Sequence, residues 1–186
     1  MSEHRFRDKI IVCLLLSLIL YFANTYLFSY KDNVQAKVLY YKQETNHYCA
    51  EACIQMMLDY YHVTPLPSQH ELAFETKYKD NETKSAYMGL PFDSRNMTSK
   101  ISCMLNYEQA YDQLINTVSE KPVIILLYWG NGTGHYIVVY AGDSRGITYH
   151  DPSKGASLSY TREELKKYWH DNYNSSNLPC WALSIK

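Results

Sequence analysis

The sequence has no excess of either charge. Eighteen lysines and arginines against nineteen aspartates and glutamates leave a formal net charge of -1 over 186 residues. Nothing in that balance calls for a nucleic acid or an anionic surface as partner. The spacing of a structural zinc site is also missing. Such sites carry close pairs such as C-x2-C, and the chain offers only Cys49 and Cys53, three residues between them. A metal site drawn from His47, Cys49, Cys53 and His135 is therefore not expected, and no cofactor is implied. There is no internal repeat, which excludes solenoids and propellers. The length leaves room for one domain with a real core, plus an appendage.

The appendage is N-terminal. From Ile10 to Phe28 the chain carries no charge for 19 residues. At helical rise that run spans about 28 Å, close to the roughly 30 Å of bilayer hydrocarbon. A signal peptide usually has a shorter apolar region and a small-x-small cleavage site; no such site stands around Ala23. The segment reads as an uncleaved single-pass anchor, with cleavage and secretion as the alternative. Arg5, Arg7 and Lys9 precede it and Lys31, Lys37 and Lys42 follow it, so the positive-inside comparison is nearly balanced. The short leading arm favours an inside N-terminus, which places the following domain on the extracytoplasmic side. Residues 1–36 are thus read as arm, anchor (about 10–28) and linker, and 37–186 as the folded domain.

The folded part is organised around Gln43–Tyr61, a loop that opens into a helix at Cys49. Ala52, Met56 and Tyr60 recur every four residues, and Cys49, Cys53, Met57 and Tyr61 form a parallel row; this is the period of a buried or half-buried helix. Unpaired N–H groups and the helix dipole at its start favour a thiolate at Cys49. Gln43, just upstream, carries an amide that, with the Cys49 N–H, would make an oxyanion hole. Further on, His135 opens one apolar strand and Asp151 ends the next. Cysteine, histidine and an orienting acid, distant in sequence, are the parts of an activated thiol nucleophile.

The remaining elements follow from periodicity and punctuation. Lys37–Tyr41 reads as a short strand, and the helix from Cys49 ends near His62 before Pro65 and Pro67. Ser68 and Glu71 form a capping box for a second helix. Residues 74–97 lose their pattern, and a helix is expected from Ser94 or Met97 to Leu105. Another, Glu108–Ser119, presents Ala110, Leu114, Ile115 and Val118 on one side. Pro122–Trp129 is a continuous apolar run, read as a central strand. His135–Ala141 and Ile147–His150 form a hairpin around Gly142–Gly146. Thr161 caps a helix to about His170, and Trp181–Ile185 is a last strand. Helices followed by an antiparallel sheet make an α+β domain. His150 defaults to a surface histidine. Nineteen tyrosines read as half-buried amphipathic surface.

Four motifs in order resemble the C39 peptidase family, papain-like cysteine proteases known as the leader-cleaving domains of bacteriocin exporters. They are Gln43 ahead of the nucleophile, Cys49-Ala50-Glu51-Ala52-Cys53, Gly134-His135-Tyr136-Ile137-Val138-Val139, and Asp151-Pro152-Ser153-Lys154-Gly155. The resemblance runs from about Lys37 to Ile185. It implies a papain-like fold, with Cys49 as nucleophile, His135 as base, Asp151 as its orienting acid and Gln43 in the oxyanion hole. It implies peptide or protein substrates, and a secretion system as a fitting partner. Ala50 departs from the family's usual glycine, and Tyr48 stands where exporter domains usually have aspartate, as in free-standing members. The same triad would also serve an amidase, transglutaminase or acyltransferase, or survive in a peptide-binding module without turnover.

Overall fold

The structure is a computed structural model that describes residues 17–18, 37–129, 133–172 and 179–186. The chain divides into two units, 1–36 and 37–186. In the first, Ser17 and Leu18 are helical, and the rest of the expected anchor lies outside the described residues. Among the described residues, no helix is long and apolar enough to cross a membrane.

In the second unit, α1 (Cys49–Tyr60) is buried along nearly all its length, from Ala50 to Leu58. It is followed by α2 (Gln69–Glu75), where Ser68 and Glu71 form the full capping box. A single turn, α3 (Leu90–Asp93), has proline in its first turn, where a missing N–H costs nothing. Then come β1 (Ser99–Ser102) and α4 (Tyr107–Val118), capped by the Asn106 side chain. The sheet is completed by β2 (Val123–Tyr128), β3 (Gly134–Asp143), β4 (Gly146–Asp151), β5 (Gly155–Thr161) and β6 (Ala182–Ile185), with α5 (Arg162–Lys166) between the last two. Strand order is β1-β6-β2-β3-β4-β5, and the pairings are antiparallel.

Strand β2 explains the layering. All six of its residues are buried, because the sheet is covered on both faces. Ile124, Leu126 and Tyr128 join the core under α1 with Val138, Trp181 and Leu183. Val123, Ile125 and Leu127 join a second core with Tyr111, Leu114 and Trp169. Alternate side chains of one strand thus enter opposite cores, which is why the sequence there is apolar without alternation.

Three expectations change, and one strand is added. Lys37–Tyr41 forms no strand and joins no sheet among the described residues. It is instead strapped to the end of β4: His150 Nε2 donates to Val38 O and the Tyr40 hydroxyl to Pro152 O. The helix expected from Ser94 or Met97 to Leu105 gives way to the edge strand β1, paired Ser99 to Ile185. Strand β5, which carries no strong local signal, pairs Tyr160 with Ile147. The helix capped by Thr161 ends at Lys166 and continues as a wider π turn, Lys167–Asp171.

Candidate active site

Cys49 is the first residue of α1. Tyr48 at the cap position offers no side-chain acceptor, so the N–H groups of the first turn stay available near the thiol. Cys49 is half-buried and lines a groove of about 810 Å³ with Asn46, His47, Trp129, His135 and residues 80–86. Cys53, one turn further on, is sealed in the core. Burial pushes its thiol far above the ordinary range, which leaves it inert.

His135 and Asp151 come from neighbouring strands, near the start of β3 and at the end of β4. His135 Nε2 lies 2.7 Å from Asp151 Oδ1. With that nitrogen engaged, Nδ1 is the ring nitrogen left to interact with Cys49. Oδ1 of Asp151 also accepts from Ser153 N and Oγ, both at 2.9 Å, and from Lys154 N at 3.1 Å. The Asp-Pro-Ser-Lys-Gly turn therefore folds back on its own carboxylate. It closes through Gly155, whose φ of 140° favours a residue without Cβ.

This geometry sets the charges. Burial disfavours a charged imidazole at His135, but the hydrogen bond it donates to Asp151 and the neighbouring Cys49 outweigh it and raise the group to about 9. Burial also works against the Asp151 carboxylate, yet His135 and Ser153 hold it down at about 2. At neutral pH the site therefore carries an imidazolium flanked by a carboxylate on one side and the Cys49 sulfur on the other.

The turn from Asp151 also ties down the Gln43 loop, for Gln43 N donates to Pro152 O at 3.1 Å. The Gln43 side chain donates through Nε2 to Thr45 O at 2.8 Å, which uses one of its two amide protons. Cys49, His135 and Asp151 are thus brought together, while Gln43 is held beside the acid turn.

Three contributors escaped sequence reasoning. Trp129 sets its ring 6.0 Å from that of His135, centre to centre. Lys154 places Nζ 4.1 Å from the Trp129 ring centre and 3.9 Å from Asp151 Oδ2, beside the pair. Glu51 lies fully buried in the first turn of α1. The signals were thin: an aromatic at the end of an apolar strand, a lysine inside the acid turn, and a carboxylate in a helical row of buried residues. His150 is a correction, since it is buried rather than on the surface. Its Nδ1 accepts from Ser157 N and its Nε2 donates to Val38 O, which fixes a neutral ring. Burial keeps its pKa below the ordinary value.

Papain-like cysteine peptidases divide their machinery in the same way, with the thiol at a helix start and the histidine and acid on an antiparallel sheet. Residues 37–174 match the peptidase C39 family, and the chain belongs to it. Solved structures agree on the fold. A double glycine motif protease from an AMS/PCAT transporter, in complex with the leader peptide, superposes with a TM-score of 0.59 at 18% identity, covering 81% of this chain and 92% of that one. The peptidase domain of Streptococcus ComA gives 0.62 at 15%, covering 80% and 98%. A C39-like peptidase from Bacillus anthracis gives 0.60 at 16%, covering 81% and 95%. No curated protein matches the chain.

Proposed function

We propose that this protein hydrolyses peptide bonds with Cys49 as nucleophile. The observation that carries the reading is the single imidazole of His135, bonded to Asp151 at 2.7 Å through Nε2 in the same groove that Cys49 lines. The Cys49 proton resides on His135, and the thiolate attacks the carbonyl carbon of the scissile bond. The oxyanion takes the Cys49 N–H and the remaining Nε2 proton of Gln43. His135 then gives its proton to the departing amine, and water cleaves the thioester with His135 as base. Asp151 holds the tautomer and balances the imidazolium.

Cys49 and His135 both line the groove, and one solved structure of similar fold is described as being in complex with the leader peptide. A leader or secreted peptide is accordingly the proposed substrate class. The uncharged segment Ile10–Phe28 is proposed to hold the domain at a membrane, facing outward, beside a secretion system that delivers its substrate.

The test is alkylation of the full chain with iodoacetamide between pH 5 and 8, mapped by mass spectrometry. Cys49 is expected to react faster than Cys103 across this range, and to lose at least about tenfold in rate at pH 6 in His135→Ala. Equal rates at Cys49 and Cys103 would sink the proposal.

A further inference from the structure

We propose that Glu51 is a positioning residue that fixes one wall of the substrate groove over Cys49; the idea rests on the peptidase reading. Glu51 sits in the first turn of α1 and is 0% exposed. A buried carboxyl without solvent is costly unless hydrogen bonds compensate it. Here they come from a distant loop. Thr76 Oγ1 donates to Glu51 Oε1 at 2.8 Å and Thr83 Oγ1 to the same oxygen at 2.5 Å. The other oxygen, Oε2, is buried and takes no hydrogen bond from another residue.

Thr76 and Thr83 bracket a reverse turn, in which Lys79 and Glu82 exchange two backbone hydrogen bonds of 3.1 Å. The turn contains no glycine, yet Lys77, Asp80 and Asn81 have φ of 55°, 55° and 65°. Each such residue is disfavoured unless its surroundings hold it. Both feet of the turn are pinned to one carboxyl oxygen of the catalytic helix. The Tyr136 hydroxyl adds a tie to Thr83 O at 3.2 Å, from the residue beside His135. Tyr78 packs edge-on against Tyr48, with ring centres 5.2 Å apart, just ahead of Cys49. Asp80, Glu82 and Lys84 of this segment line the groove. Glu51 touches neither Cys49 nor His135 in any hydrogen bond, so its effect is on where the wall stands and not on the chemistry.

The experiment uses the full chain and two probes of Cys49. Iodoacetamide needs only the thiolate; benzyloxycarbonyl-Gly-Gly chloromethyl ketone must also occupy the groove. In Glu51→Ala and Thr83→Val, KI for the chloromethyl ketone is expected to rise about tenfold, with kinact and the iodoacetamide rate within about twofold of wild type. Glu51→Gln keeps an oxygen for both threonine hydroxyls and should return KI to within about threefold. Hydrogen exchange of residues 77–86 should quicken about tenfold in Glu51→Ala and Thr83→Val, while β2 and β3 stay protected. Unchanged KI and unchanged exchange in Thr83→Val would overturn the anchoring role. So would a fall in iodoacetamide labelling parallel to the chloromethyl ketone, or a Gln variant as impaired as Ala. If wild-type Cys49 takes neither probe faster than Cys103, the peptidase reading fails instead, and the exchange data alone decide whether Glu51 holds the turn.

Discussion

Asp151→Asn isolates the charge at the site from its hydrogen bonds. Every hydrogen bond that Asp151 accepts from His135, Ser153 and Lys154 ends on Oδ1. An asparagine that places its oxygen there keeps them all. Its amide nitrogen takes the place of Oδ2, which has no hydrogen-bond partner among the described residues and lies 3.9 Å from Lys154 Nζ. The substitution thus removes one negative charge and little else. A hydrogen bond to a charged group contributes about 1.5–3 kcal/mol and a neutral one about 0.5–1.5, so about 1–1.5 kcal/mol is lost from the imidazolium. At 1.36 kcal/mol per unit, this is roughly one pKa unit. His135, held at about 9 in the wild type, should titrate near 8 by that arithmetic. In the proposed mechanism protonated His135 is the acid that releases the amine, so the alkaline limb of kcat/KM for an internally quenched peptide should move down by about one unit. Alkylation by iodoacetamide needs no such acid and should show no alkaline limb at all. Asp151→Ala strands several donors and should lose far more activity. An alkaline limb that stays put in Asp151→Asn, or an Asn variant as inactive as Ala, would refute the electrostatic account.

The buried, neutral ring of His150 makes its own contribution. With its folded pKa below the ordinary value, its support is complete above about 6.5 and drains away as pH falls below that. The melting temperature should therefore decline on acidification, and His150→Gln, which can still accept from Ser157 N and donate to Val38 O, should flatten that decline; an unchanged slope would count against it. Gly146 meets Tyr160 O across the β4–β5 pair, where an added Cβ would stand 2.2 Å from that oxygen. Gly146→Ala should cost about 2 kcal/mol or more in urea unfolding, and a midpoint equal to wild type would show that the edge strand yields freely.

Where signals are local, the sequence was readable. The capping boxes at Ser68–Glu71 and Thr161–Glu164 need only the residues of one turn. The start of α1 at Cys49 and the buried run of β2 follow from period and apolarity. Strands β1 and β5 were not readable, because both are edges whose state depends on partners far along the chain. Ser99-Lys100-Ile101-Ser102 is a strand because β6 lies beside it, not because of its own residues. His150 was misjudged for a related reason. Strand alternation puts it opposite Asp151, but that face is covered by the strap at Val38 and Tyr40 and by Tyr140.

By itself the sequence determined the chemistry on offer: a thiol at a helix start, an imidazole opening a strand and a carboxylate opening a Pro-Ser-Lys-Gly turn, in an order that resembles one family. Each is a property of a few adjacent residues, whose backbone preferences and side-chain types suffice to read it. Only the tertiary structure decided that His135 lies 2.7 Å from Asp151, and that this contact raises the imidazole while burial opposes it. It alone decided that Trp129 and Lys154 stand beside the pair and that Glu51 holds a turn 25 to 32 residues away. Those are matters of dielectric and of contact between distant segments, which arise only when the chain has packed.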